Sequence, residues 1–284
     1  MRFINFDLYE SLGASQPFDA NRAFVTSPWF SSTILATIRG TIAAYTLVTL
    51  LFVLTWQTAV LHVSDGYFPY FTELTQIGIC SYYWASFTQT LVYALRQRRS
   101  QKSTPEYPLQ RWPRILQLLH IMLESTVVSY PILVTVIFWS LLATSTAFDT
   151  KFNAWSDVSL HILNTAWSLF EIIGTNSPPP RWYMLPCIIV ILALYLALAY
   201  LVHATQRFYT YSFLDPSSSH GLLAGYIVGI AVGACIIFAL VKMVMWSNDA
   251  DENRHWSTSA NYWSTIDQYW STIDQHRSTL VDIC

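Results

Sequence analysis

The chain has 284 residues, 53% hydrophobic and only 11% charged, against roughly 25% charged for an ordinary soluble domain. So little polar surface excludes a soluble globule of this size and points to an integral membrane protein. Its 15 basic and 17 acidic residues give no basic field, which argues against nucleic acid as a partner.

Residues 1–31 contain no apolar core of a leader peptide. They read as a cytosolic segment, with the first spanning helix acting as the insertion signal. Crossing the hydrocarbon takes ~20 apolar residues at the helical rise. Six runs meet that length, at 32–56, 68–95, 115–144, 156–173, 183–206 and 220–246. The predicted architecture is all-α, a polytopic bundle of six transmembrane helices over 32–246. A tail follows from 247 to 284.

Lysine and arginine bias sets the orientation. The connection after the second run carries Arg96, Arg98, Arg99, Lys102, Arg111 and Arg114, whereas those after the third and fifth hold only Lys151 and Arg207. The basic loop is therefore cytosolic, and so are both termini. An endoplasmic reticulum or plasma membrane location fits equally.

Pro69 suits the first turn of the second helix. Pro131 should kink the third. Gly174 and the Asn176-Ser177-Pro178-Pro179-Pro180 string end the fourth. In the sixth, Gly221, Gly225, Gly229 and Gly233 form a small-xxx-small stripe, which suits close packing inside the bundle first and a homodimer face second. The tail reads as four heptads over 255–282, HWSTSAN, YWSTIDQ, YWSTIDQ and HRSTLVD. They lack the paired apolar positions of a coiled coil, so a flexible cytosolic tail is expected.

Ionisable side chains inside a bilayer are expensive and need individual accounts. Arg39 and Glu124 sit at similar depth in the first and third helices, which predicts an ion pair or a shared water-filled pocket. That pair could lock the bundle, or Arg39 could bind a substrate carboxylate.

Thr72 lies about four residues into the second helix and His161 about six into the fourth, ~6 Å and ~9 Å from the same face. A hydroxyl becomes a competent nucleophile when an imidazole takes its proton. Asp157, one turn before His161, could hold the other ring nitrogen. Glu73 points away around the helix, and Asn164 is a candidate oxyanion donor. Spacing alone leaves other readings open. A buried threonine commonly bonds its own backbone, and a buried histidine commonly bridges helices. His161 and His203 could instead ligate haem or a metal. No zinc, nucleotide or nucleophile-elbow motif occurs, so neither a metal nor another cofactor is expected.

The stretches YFTELTQIG at 70–78, STVVSYPILVTVIFW at 125–139, WSDVSLHILNTAWSLFEII at 155–173 and LYLALAYLVHATQRFYTYSFLD at 194–215 resemble the family of androgen-induced and androgen-dependent TFPI-regulating proteins, and its fungal members most. The similar region spans most of 18–246 and excludes the tail. The resemblance implies a transmembrane threonine hydrolase of fatty acid esters of hydroxy fatty acids. The family's threonine would fall on Thr72, with Thr75 as its neighbour and competitor, and its histidine on His161. Glu73 and Asp157 depart from the asparagine common at both positions in fungal members, which bears on the charge of the site. The rival reading is a lipid-binding or transport bundle without chemistry.

Overall fold

The computed structural model describes residues 7–60, 62, 67–99, 105–143, 148–219 and 221–248. The chain divides into two compact units, Met1–Met245 and Trp246–Cys284. The heptad tail lies outside the described residues.

Six long helices occur among the described residues. Helix α1 is Ser32–Ala59, opened by Ser31 as N-cap with its side chain accepting from the Ile34 N–H. Helix α2 is Phe71–Arg99, and its last turn carries Arg96, Arg98 and Arg99, which complement the negative end of the helix dipole. Helix α3, Arg114–Leu142, breaks after Val127 and resumes at Tyr130. Pro131, in the first turn of that second stretch, has no N–H and excludes the carbonyl four residues back. Helix α4 is continuous but changes pitch, through Lys151–Asp157, a π-turn Val158–Leu163, and Asn164–Gly174. Helix α5 is Met184–Gln206 and α6 is Leu222–Asn248. No strand occurs among the described residues.

Four of these helices, α1, α3, α5 and α6, are long and apolar enough to cross a membrane, rather than the six expected. The segments expected at 68–95 and 156–173 are helical, as α2 and α4, but bury too much polarity to qualify by composition. Thr75, Gln76, Ser86, Gln89 and Thr90 of α2 are all buried, as are Asn164, Ser168 and Glu171 of α4. By contrast, α5 and α6 turn Leu194, Leu201, Leu222 and Val228 outward, each at least 60% exposed. Such an apolar exterior has no stable place in water.

Helix directions follow from the contacts. Gly40 of α1 sits where an added methyl would strike the Phe87 ring at 2.9 Å, and further along α1 the Thr46 carbonyl accepts from Gln76. α1 and α2 are thus antiparallel. Against α4, Arg39 meets Glu171, Tyr45 meets Ser159, and Phe52 meets Trp155, again antiparallel. Thr165 reaches the Pro131 carbonyl and Thr135 the His161 carbonyl, so α3 also opposes α4. The starts of α2 and α4 therefore share one end of the bundle.

At the opposite end the N-terminal segment folds as a plug. Phe18, Phe24 and Val25 are buried. Tyr107 donates to Asp19 at 2.5 Å, Ser27 to the Gly174 carbonyl, and Arg39 to the Phe24 carbonyl.

The expected Arg39–Glu124 pair is corrected. Arg39 is fully buried and pairs in bidentate fashion with Glu171, Nη2 to Oε2 at 2.7 Å and Nε to Oε1 at 3.1 Å. Its Nη1 donates to the Phe24 carbonyl and to Thr90 Oγ1, and Tyr82 donates to Glu171. The reason is directional. Side chains lean toward the N-terminus of their own helix. Arg39 and Glu124 lie on parallel helices and lean the same way, whereas Glu171 on antiparallel α4 leans back toward the guanidinium. Glu124 is buried, with Oε1 lacking a hydrogen-bond partner among the described residues.

Packing of the glycine stripe inside the bundle holds at Gly233 alone, where an added methyl would lie 3.6 Å from Leu133. Positions 221, 225 and 229 open on empty space.

Arg39→Met or Glu171→Met alone should cost about 3–5 kcal/mol by stranding a buried charge. The double variant should lose clearly less than the sum of the two. Thermal unfolding of the purified protein in detergent checks this; strict additivity would contradict the lock.

Candidate functional site

A cavity of 810 Å³ opens beside the first turn of α2 and the π-turn of α4. Thr72, Glu73, Asp157 and His161 all line it, so the structure brings together four residues that the sequence singled out. Thr72 is half-buried and Glu73 is buried.

His161 is held firmly by its surroundings but not by its ring nitrogen. It is 4% exposed, and its ring stacks on Phe138 with centroids 3.7 Å apart and planes 13° from parallel. Its backbone carbonyl accepts from Thr135 at 2.7 Å, and Thr135 lies 2.8 Å from the Thr165 hydroxyl. The Nδ1 atom is buried with no hydrogen-bond partner among the described residues. Phe138 belongs to a second π-turn, Phe138–Leu142. Two wide turns, on facing helices, thus meet at one aromatic stack. Such turns carry an extra residue and re-aim side chains, and they recur at functional sites.

Thr72 is set by the way α2 begins. The first N–H groups of a helix have no partner within it, and here the Phe71 N–H donates to the Tyr211 hydroxyl at 3.2 Å. Tyr211 arrives from the connection after α5. Its hydroxyl also lies against the Thr72 side chain and backbone N–H and against Tyr195, while Tyr195 donates to the Pro69 carbonyl. Burial pushes the Tyr211 phenol up from its ordinary range, so it stays protonated. Its oxygen accepts from the Phe71 N–H and stands beside Thr72, so Tyr211 caps the start of α2 at the candidate nucleophile.

On the other side of Thr72 lies a second cavity of 280 Å³, walled by apolar side chains including Phe71, Leu133, Ile137, Ile189, Leu196 and Ile230. Thr72, Tyr211 and Leu142 border both cavities. The nucleophile candidate therefore stands at the junction of a polar vestibule and an apolar chamber.

Other expected residues are placed elsewhere. Asn164 does not line the vestibule; its amide donates to the Leu160 carbonyl of its own helix, which corrects its candidacy as an oxyanion donor. Asp157 lines the vestibule but does not hold the imidazole at Nδ1, which is unpartnered. The π-turn starts between the two and rotates His161 past it. Thr75 faces a separate groove with Gly78 and Leu198. His203 stacks on Tyr209 at 3.7 Å and does not line the vestibule with His161. Among the described residues no cluster of three or more His, Cys, Asp or Glu side chains could hold a metal ion.

Two contributors escaped the sequence reading, Tyr211 and Phe138. Both sit in aromatic-rich strings, RFYTYSF and VIFW, where nothing in spacing separates a capping or stacking ring from a lipid-facing one.

No protein-family model, curated protein or solved structure matches the chain.

Thr135→Val removes the hydroxyl that anchors the His161 carbonyl while keeping the volume. It should destabilise by about 1–2 kcal/mol, lowering the thermal midpoint by roughly 2–8 °C. An unchanged midpoint would show that the π-turn is held by something else.

Proposed function

We propose that this protein is an intramembrane hydrolase of lipid carboxylic esters, with Thr72 as nucleophile and His161 as its base. One observation carries the reading. A hydroxyl and a buried imidazole line one cavity, and the hydroxyl also borders an apolar chamber suited to an acyl chain. The likeness to the androgen-induced family, whose threonine and histidine would fall on these two positions, supports it.

In this mechanism His161 takes the Thr72 proton as Oγ1 attacks the ester carbonyl. The tetrahedral oxyanion forms beside the Tyr211 phenol, which donates its proton in a hydrogen bond. Collapse breaks the bond to the alcohol oxygen, and the imidazolium returns its proton to that leaving group. Water from the vestibule, activated by His161, then releases the fatty acid from Thr72. The Phe138 stack fixes the ring, so little reorganisation accompanies each proton transfer.

The membrane arrangement belongs to the same proposal. We infer that α2 and α4 also span, as polar inner helices shielded by the four apolar ones, since each is long enough to cross. The Lys/Arg-rich connection after α2 then lies in the cytosol with both termini. The site sits under the opposite headgroup layer of the endoplasmic reticulum or plasma membrane. There an ester can arrive laterally from lipid and meet water in the vestibule. A lipid-binding protein that performs no chemistry is the second reading, favoured by the apolar chamber alone.

Purified protein in nanodiscs should hydrolyse the palmitoyl ester of a hydroxystearic acid whose hydroxyl lies mid-chain, far from the carboxylate. Thr72→Ala and His161→Ala should each lower kcat/KM by about 10³-fold or more, with Thr72→Ser retaining a measurable share. Tyr211→Phe should lower kcat by roughly 10²-fold with little change in KM. Full activity in Thr72→Ala would refute the enzyme reading.

A further inference from the structure

Charge is distributed unevenly around the vestibule. Its wall holds two carboxylates, Glu73 and Asp157, and no lysine or arginine among the described residues. Its nitrogen bases are His62 and His161. Five aromatic rings line the same space, those of Tyr70, Phe138, Phe152, Phe208 and Tyr211. Glu73 is only 6% exposed, and its Oε2 has no hydrogen-bond partner among the described residues. The Tyr67 hydroxyl lies beside that carboxyl and offers it a neutral donor but no positive charge.

A buried carboxyl group without a cation keeps its proton, and a cation drawn into the site would take that proton's place. Among the described residues the one deeply buried arginine cannot be that cation, because Arg39 is committed to Glu171 near the other end of the bundle. Rings ranged around two carboxylates attract a diffuse, weakly hydrated cation through both their faces and the nearby negative charge. An anionic group in the same space would meet two carboxyl groups and, among the described residues, no lysine or arginine.

We infer that the vestibule selects esters whose alcohol half is cationic, a quaternary ammonium group above all, and disfavours those whose alcohol half carries a carboxylate close to the ester. This rests on the hydrolase reading, with the acyl chain in the apolar chamber and the alcohol half in the vestibule. It runs against the free carboxylate of a hydroxy fatty acid ester, which this chain would accept only where a long spacer carries that carboxylate out of the vestibule. The quaternary ammonium can come from a simple choline ester or from a phosphocholine lipid.

Four esters with one acyl chain test it in nanodiscs of neutral lipid: palmitoylcholine, 1-palmitoylglycerol, O-palmitoyl lactate and 1-palmitoyl lysophosphatidylcholine. The expected kcat/KM is about tenfold or more higher for palmitoylcholine than for palmitoyl lactate, with the glycerol ester between them. The double variant Glu73→Gln, Asp157→Asn should collapse that ratio toward one. Turnover of the lysophospholipid matching palmitoylcholine assigns the phospholipid source, and turnover of palmitoylcholine alone assigns simple esters.

Hydrolysis of all four esters without charge preference, or a preference unchanged in the double variant, overturns the inference and leaves the hydrolase intact. Non-hydrolysable probes separate the two ideas from the other side. Hexadecyl choline ether should bind about tenfold more tightly than hexadecyloxyacetate, read by tryptophan fluorescence, even in Thr72→Ala. Equal binding of the two ethers overturns the inference whether or not any ester is cleaved.

Discussion

One buried ion pair fixes the frame in which everything else is placed. Arg39 and Glu171 are both fully excluded from solvent and joined by two hydrogen bonds. In a low-dielectric interior neither could stand alone. The guanidinium also holds Thr90 of α2 and the Phe24 carbonyl of the N-terminal plug, and Tyr82 of α2 closes on the carboxylate. Three helices and the plug thus share one charged knot. With α1, α2 and α4 pinned there, the residues nine to ten positions back along α2 and α4 are brought to one level. Those residues are Glu73, with Thr72 beside it, and His161.

The other end of the bundle is less regular. There the polar groups are left incompletely satisfied. His161 Nδ1 and Glu73 Oε2 are both buried without hydrogen bonds among the described residues, against the general rule that buried polar groups are paired. The helices there are also irregular, with π-turns in α3 and α4. Glu124, at the level of the knot, also keeps a buried oxygen without a partner among the described residues. What sets the far end apart is therefore its pair of π-turns, which re-aim side chains. The Phe138 stack and the Thr135 bond show how orientation is kept without occupying the imidazole's nitrogen.

The helices were legible because hydrophobic run length reports them directly, and α1, α3, α5 and α6 are apolar enough to need lipid. Pro131 announced the break in α3 through its missing N–H. The placement of Thr72 and His161 at one end followed from counting along alternating helices. Pairings were harder. Depth alone pairs Arg39 with Glu124, whereas the direction in which side chains lean selects Glu171. Asp157 and Asn164 were assigned from α-helical spacing, and the π-turn that begins at Val158 breaks that spacing. Tyr211 lies some 140 residues from Thr72 in the chain, and no local pattern marks a tyrosine that will cap a distant helix. The glycine stripe shows the reverse limit, since its regular spacing does not reveal that three of its four positions face open space.

The account stands on a covalent role for Thr72. The most direct measurement is peptide mass spectrometry after treating the purified protein with a long-chain alkyl fluorophosphonate, which traps an activated hydroxyl irreversibly. The account predicts a single adduct on Thr72, lost in His161→Ala although that protein stays folded. An unmodified Thr72, with hydrolysis intact or the adduct on another vestibule hydroxyl such as Ser156 or Thr210, would contradict it.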